Sequence, residues 1–345
     1  MRVGIAGASG YTGLELVRLV PRHPELELVA ITSEQRAGMA AGDAFPGLRG
    51  LVDLRFEGLD PKRLAERVDV AFCCLPHGGS ARAVAELRAA GVVVVDLSAD
   101  FRLRSRDDYA RWYGEHAAPD LFGAAVYGIP ELHRAELAGA SFAAAAGCYP
   151  TCTVLPLAPF LREGLVETTG IVVDAKSGVS GAGRTLADGY LLAELEGNAH
   201  AYKPGSVHRH VPEIEQELAL AAGVDVRVAF VPHLLPTTRG MLATVFARPK
   251  RPMSSADARA VLERAYANEP FVRVLPEGET PAIASVRGTN FCDVAAVSDE
   301  RSGALVLLSA IDNLGKGASG QMIQCLNAMR GWPETLGLLA GPLLP

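Results

Sequence analysis

Three things are scarce in this 345-residue chain: basic runs, long apolar stretches and cysteine. The formal net charge is −6 and no basic stretch exceeds a few residues, which excludes the electrostatic footprint of a nucleic-acid or polybasic-membrane partner. No apolar run reaches the ~18–20 uninterrupted residues of a transmembrane helix, so no membrane partner is expected. Six cysteines are too few and too scattered for a disulfide framework and read as the reduced thiols of a cytoplasmic protein. Cys148 and Cys152 form C-x-x-x-C with no clustered His or Cys to complete a metal site, and no metal is expected. Met1–Gly10, MRVGIAGASG, enters a strand directly, so no secretory leader is expected. What is present is 49% hydrophobic content, enough for one large or two medium cores.

The first organised pattern is strand, glycine turn, helix. Arg2–Ala6 is apolar, Gly7-Ala8-Ser9-Gly10-Tyr11-Thr12-Gly13 follows, and Leu14, Leu16, Val17, Leu19 and Val20 mark a helix. The spacing is G-x-x-G-x-x-G rather than G-x-G-x-x-G, but the physics is shared. Corners without side chains let backbone approach a pyrophosphate that caps the helix. Leu26–Ile31 then leads into Thr32-Ser33-Glu34-Gln35-Arg36, about 20 residues past the turn, where a ribose 2′ position is read. Glu34 would favour NAD; Ser33 with Arg36 suits the 2′-phosphate of NADP better. Asp69–Leu75 and Val92–Leu97 are almost wholly apolar, as parallel strands covered on both faces must be. Polar residues gather at their C-terminal ends, where open α/β sheets bind ligands. Pro76 and Ser98 there are candidate cofactor contacts, and His77 is a loop residue or a catalyst. Arg102 either holds an anionic substrate group or pairs with Asp100 or Asp107.

The most informative stretch is SFAAAAGCYPTCTVLP, residues 141–156. Ser141–Gly147 reads as a buried strand, and Pro150 and Thr151 open a helix to about Glu163. Cys148 therefore stands at a strand-to-helix corner, over a helix N-terminus that favours the thiolate and draws its pKa below ~8.5. That is a position for a covalent nucleophile, or else for a small buried hydrophobe.

Beyond Cys148 the rhythm changes. Ile171–Ala175 is a strand, and Lys176–Arg184 is a loop with three glycines, two serines, a lysine and an arginine. It is either a donor-rich anion site or a flexible connector. Ser177, Ser180, Gly181 and Arg184 are its candidate substrate contacts, and Gly178 a candidate cofactor contact. Strands at Val226–Val231, Gly240–Phe246, Asn290–Val297 and Ala304–Ala310 surround the helix Ser254–Asn268, an α+β pattern with a mixed or antiparallel sheet. The expected division is a Rossmann-type nucleotide domain, residues 1–147 with 313–345, and an α+β catalytic and oligomerisation domain, residues 148–312. His208 and His210 lie two apart, so on an extended segment both would face one way, ahead of a helix opened by Pro212 and Glu213. Arg239 is either an anion clamp or an exposed loop arginine. A nucleotide domain, a helix-capped cysteine, an imidazole and anion-binding loops together imply attack of a thiolate on an acyl phosphate or aldehyde, with hydride exchange at a nicotinamide.

GASGYTG, LSADFRL, AGCYPT, DAKSGVSGAGR, HRHVPEIEQEL and NLGKGASGQ together resemble the N-acetyl-γ-glutamyl-phosphate reductases of arginine biosynthesis, from Met1 to about Gly331. The resemblance implies the fold of aspartate-semialdehyde dehydrogenase and a homo-oligomer. It implies a thioacyl enzyme on Cys148, formed with loss of phosphate from a small acyl phosphate and reduced by NADPH to the semialdehyde. His208 would be the acid/base, with His210 the second choice. The family's turn carries over as Gly7, Ser9, Gly10, Tyr11, Thr12 and Gly13, its 2′-phosphate site as Ser33 and Arg36, and Asn313 would sit near the nicotinamide. A cousin family that reduces carrier-linked aminoadipyl phosphate has Asn-Ala where this chain has Tyr149-Pro150, which favours the arginine branch. The alternative from another class is a non-catalytic NADP-binding sensor, for which Cys148 would be dispensable.

Overall fold

The computed structural model describes residues 1–76, 78–184 and 187–343, so His77 lies outside the described residues. Two compact units emerge: Met1–Ala146 with Ala318–Leu339, and Gly147–Gly317 with the residues from Ala340.

Seven strands build the first unit: β1 (Arg2–Ala6), β2 (Glu27–Thr32), β3 (Phe56–Glu57), β4 (Val70–Cys73), β5 (Val93–Asp96), β6 (Val126–Gly128) and β7 (Phe142–Ala145). They pair in the order β3-β2-β1-β4-β5-β7-β6, all parallel. Every residue of β4, β5 and β7 is buried, because parallel strands carry helices on both faces. Chain order reverses between β1 and β4, and that switch point opens a crevice at the C-terminal strand ends. The helix Gly320–Arg330 is buried at every position before Arg330 and closes one face beside β5, β6 and β7. Gly128 permits its approach, since an added Cβ there would stand 2.9 Å from Cys325 Sγ.

The second unit holds β8 (Ile171–Gly178), β9 (His200–Ala201), β10 (Val228–Leu235), β11 (Met241–Ala247), β12 (Val272–Val274), β13 (Cys292–Asp299) and β14 (Ala304–Ile311). Their order is β12-β13-β14-β11-β8-β10-β9, with β8–β10 and β12–β13 parallel and the other pairs antiparallel. Strict alternation buries Val173, Ala175, Phe230, Ala243, Val245, Leu305 and Leu307, on which the helices Cys148–Arg162, Val211–Ala222 and Ser255–Tyr266 pack. The opposite face leaves Val172, Phe246 and Val297 exposed around an Asp174–Lys176 ion pair of 2.5 Å.

The helix Cys148–Arg162 contains Pro156 and Pro159, each of which deprives a carbonyl four residues earlier of its N–H donor. Both carbonyls are satisfied from elsewhere: Ser309 Oγ donates to Cys152 O, and Tyr266 OH donates to Leu155 O. Hydroxyls on β14 and on the helix Ser255–Tyr266 thus complete a helix that its own sequence interrupts. Cys152 Sγ lies 3.0 Å from the same Ser309 Oγ, and burial pushes its thiol up to about 12. Cys152 is a packed hydrogen-bonding residue.

The expected boundary shifts by a few residues. Residues 313–317 pack with the second unit, because Asp312 accepts the N–H groups of Leu314 (2.8 Å) and Gly315 (3.0 Å), and a Cβ on Gly315 would stand 2.1 Å from Thr289 O. At the far end Leu343 N donates to Arg287 O at 2.7 Å.

Candidate active site

At the C-terminal end of β1, Gly7 adopts φ +84°, and a Cβ there would meet Cys74 O at 2.6 Å. A Cβ on Gly13 would meet Gly7 O at 2.3 Å, so the helix Tyr11–Leu19 can sit this close only with glycine. Gly10 differs: a Cβ there would meet only Gly7 O, at 3.7 Å, which leaves the space over this N-cap open. The helix has no side-chain cap and no acid in its first turn, so its N–H dipoles are available to an anion. Gly7 N donates to Thr32 Oγ1 (3.2 Å), Ser9 Oγ and Ser33 Oγ lie 2.7 Å apart, and Ser319 Oγ donates to Thr12 O (2.8 Å). Glu34 is drawn away, accepting Leu59 N at 2.7 Å, while the Arg36 guanidinium rests 4.6 Å from the Phe45 ring centre. The turn therefore fits a dinucleotide pyrophosphate, and the tip of β2 offers a cation and hydroxyls rather than a carboxylate to the ribose.

At the ends of β4 and β5 a buried polar network shapes the neighbouring loops. Asp100 accepts Gly78 N (2.9 and 2.7 Å), Ala81 N (3.0 Å) and Tyr109 OH (2.9 Å), holding the start of the helix Gly79–Ala89. Asp96 accepts Ser98 Oγ and Ser80 Oγ; burial pushes its carboxyl up to about 6 against the pull of those hydroxyls. Ser98 Oγ also accepts Asp100 N (3.1 Å) and Ser98 N donates to Asp96 Oδ2 (3.1 Å), so both its hydroxyl and its N–H are committed internally. Arg102, 6% exposed, donates from Nη2 to Leu97 O at 2.5 Å and lies within the field of Asp96. Pro76 is exposed, its carbonyl accepting Ser80 N at 3.0 Å.

In the second unit Cys148 is the first helical residue, half-buried, behind Gly147 as N-cap. Glu213, 2% exposed, accepts Gly147 N at 2.8 Å and so ties the cysteine corner to the helix Val211–Ala222. The Tyr149 ring packs against His208 (5.4 Å between centres), His210 (5.9 Å) and Phe230 (5.2 Å), and Tyr202 OH donates to Tyr149 OH at 2.8 Å. Burial pushes both phenols well above their ordinary range, so both stay neutral hydroxyls.

The two imidazoles are brought together, 5.0 Å between ring centres, but not by an extended segment. They lie in a turn, with Val211 N on His208 O (3.0 Å), Ile214 N on His210 O (3.0 Å) and His210 as N-cap. Pro212 at the second helical position starts the helix early and folds the segment back. His210 N donates to His208 Nδ1 at 3.1 Å, which leaves the proton of neutral His208 on Nε2. Burial, with His210 and Lys203 adding to it, pushes His208 down to about 3. Native His208 thus stays neutral where the unfolded residue, near 6.5, takes up a proton. Its contribution to stability is full above pH ~6.5 and is lost as pH falls toward 3, at up to about 1.4 kcal/mol per unit. Raised Asp96 acts oppositely, gaining stability as pH falls through about 6. The check is therefore a difference: urea midpoints measured from pH 7.5 to 4.5 are expected to fall less in His208→Gln than in wild type.

The Lys176–Arg184 stretch is a correction to the donor-loop reading. β8 runs on through Gly178, and three of the N–H groups that seemed on offer are spent: Gly178 on Gly240 O (2.8 Å), Val179 on Thr237 O (2.9 Å) and Ser180 on Thr238 O (3.1 Å). A Cβ on Gly178 would stand 2.9 Å from Arg239 N, so this glycine serves a close backbone crossing. What remains is a side-chain cluster. Asn313 donates to Ser180 Oγ (2.9 Å) and accepts Gly240 N (2.8 Å), Ser177 hydrogen-bonds Tyr149, and Gly181 lies beside Ser177 Oγ. Arg184 is exposed. Arg239 is half-buried and bidentate on Asp312, 3.0 and 3.1 Å, rather than an exposed loop arginine. Sequence reasoning gave no site role to Tyr149, Tyr202, Asp312 or Gly317. Tyr149 carried a signal in its adjacency to Cys148, and Gly317 in its place within NLGKGASGQ.

Two family models cover most of the chain: semialdehyde dehydrogenase, NAD binding domain, over residues 2–140, and semialdehyde dehydrogenase, dimerisation domain, over residues 148–313. The N-acetyl-gamma-glutamyl-phosphate reductase of Citrifermentans bemidjiense is 49% identical over 345 residues, all of both chains. That of Pelotomaculum thermopropionicum is 49% identical over 343 residues, 99% of this chain and 98% of that one. Among solved structures, aspartate semialdehyde dehydrogenase II of Vibrio cholerae superposes with a TM-score of 0.71 at 16% identity, over 95% of this chain and 97% of that one. Aspartate semialdehyde dehydrogenase with NADP from Candida albicans gives 0.69 at 17% identity, over 95% and 99%. At those identities the structural likeness shows the fold, and the sequence relatives show the family: the chain belongs to the N-acetyl-gamma-glutamyl-phosphate reductases.

Proposed function

We propose that this protein reduces N-acetyl-L-glutamyl 5-phosphate to N-acetyl-L-glutamate 5-semialdehyde and phosphate, the acyl-phosphate reduction of arginine biosynthesis. The observation that carries the chemistry is Cys148 at the first position of a helix whose N-cap is tied to Glu213, with two imidazoles on the adjoining tyrosine. NADPH, held by the Gly7–Gly13 turn with Ser33 and Arg36, supplies the hydride. Cys148 Sγ, favoured as thiolate by the helix N-terminus, attacks the acyl carbon and expels phosphate, leaving a thioacyl ester. The N–H groups of the first helical turn receive the oxyanion. After reduction, an imidazole protonates the thiohemiacetal oxygen and takes the proton back as the C–S bond breaks. His210 suits that exchange better than His208, whose Nδ1 is occupied by a backbone N–H and whose Nε2 carries the remaining proton of the neutral ring. His208 then serves as a hydrogen-bond donor. Arg102, Ser177, Gly181 and Arg184 are the candidates for the anionic and polar ends of the substrate, and Ser180 and Asn313 support them.

The protein works in the cytoplasm as a homo-oligomer, assembled through the outward face of the β8–β14 sheet around Val172, Phe246 and Val297. Among the described residues no helix is long and apolar enough to cross a membrane.

The deciding experiment runs the reaction backward: phosphate-dependent reduction of NADP⁺ with N-acetylglutamate 5-semialdehyde. Activity that requires phosphate and is absent with aspartate semialdehyde is expected. Absence of activity in folded protein would overturn the substrate assignment. Arg36→Ala is expected to weaken NADP⁺ binding by roughly 10–10²-fold, the worth of one charge-assisted contact, with NAD⁺ changed less than about threefold. An unaltered NADP/NAD ratio would remove the 2′-phosphate role.

A further inference from the structure

The turn after β14 runs directly behind the nucleophile. A Cβ on Gly317 would stand 2.7 Å from Cys148 Cβ, 3.2 Å from Ile311 Cδ1 and 3.3 Å from Asp312 O. Cys148 Cβ cannot swing aside, since it is bonded to the helix backbone. The turn cannot retreat either. Gly317 N donates to Asp312 O (2.9 Å), and Asp312, fully buried, gathers Leu314 N, Gly315 N, Gly288 N and the bidentate Arg239. A single carboxylate thereby fixes the 313–317 turn to the loops at 239 and 288. Next to it, Asn313 fixes Gly240 and Ser180.

We infer that Gly317, held by Asp312, is a positioning residue for the known reaction: its bare Cα sets where Cys148 Cβ, and hence Sγ, can stand. The glycine is required by contact rather than by backbone conformation, because its φ is not in the left-handed region. Asp312 acts one step further back. Its carboxylate accepts five N–H donors, and an amide in its place would turn N–H groups toward Gly288 N or Arg239. The turn would then be free to shift against the cysteine.

The inference rests on Cys148 being the nucleophile, so the test reads the thiol directly and does not need the substrate. Iodoacetamide labelling of the Cys148 peptide, followed by mass spectrometry across pH 6–9, is compared in wild type, Gly317→Ala and Asp312→Asn. Both variants are expected to label at least tenfold more slowly, or with a displaced pH midpoint, while NADP⁺ affinity stays within twofold. Labelling rates and pH midpoints within twofold of wild type in folded variants would overturn the inference. If Gly317→Ala fails to fold, the double-mutant cycle with Cys148→Gly decides. Removing the Cys148 Cβ should restore solubility and melting temperature to Gly317→Ala if the two carbons collide; no restoration would overturn it. A wild-type thiol that labels no faster than a free cysteine would instead refute the nucleophile assignment, a separate failure.

Discussion

With Cys148 replaced by alanine, turnover is expected to fall by at least about 10⁴-fold, because no other group can form the thioacyl ester. Cys152, one helical turn away, cannot substitute: its thiol is fully buried, pushed up to about 12, and committed to Ser309. Cys74 is likewise pushed up to about 12 by burial. NADPH binding, whose candidate contacts apart from Gly178 and Asn313 lie in the first unit, should change less than twofold. Stopped-flow turnover beside fluorescence titration of NADPH separates the two. Retained turnover would refute covalent catalysis.

The imidazole pair gives the second large effect. His210→Asn is expected to lower kcat by roughly 10²–10⁴. His208→Asn should cost about tenfold or less, since asparagine keeps an N–H donor where neutral His208 presents Nε2–H. The assignment follows from one contact, His210 N on His208 Nδ1 at 3.1 Å. If His208→Asn shows the larger loss, the roles of the two rings are exchanged. Glu213 connects this pair to catalysis through Gly147, so its replacement should disturb both the cysteine corner and the histidine turn.

The elements that were legible in sequence are those governed by local pattern. β1, the glycine turn and the Tyr11–Leu19 helix follow from apolar runs broken by Gly7, Gly10 and Gly13; Cys148 at a corner follows from Gly147 and Pro150. The alternation in β8, β10, β11 and β14 marks a half-open sheet without any knowledge of its partners. Short strands such as β3, β6 and β12, two or three residues long, carry too little pattern to be seen. The donor loop misled because its glycines and serines look solvated, whereas the 237–240 segment, some sixty residues later, consumes its N–H groups. The same limit hides Gly317 behind Cys148 and Asp312 among five donors. These are contacts across long separations in the chain, and local periodicity holds no information about them.

The helix that carries Cys148 has a consequence for the order of assembly. Its own backbone cannot close the hydrogen bonds at Cys152 O and Leu155 O, and the groups that close them, Ser309 and Tyr266, are made more than a hundred residues later on the ribosome. A nascent chain that has emerged only through β11 lacks both hydroxyls and carries a helix with two orphaned carbonyls. It equally lacks the turn at Gly317 that holds the cysteine in place. On the proposed nucleophile role, the thiol would therefore acquire its reactive setting only after β14 and its turn have docked. On that role, an incomplete chain would carry an ordinary cysteine, and the activated one would appear together with the finished domain.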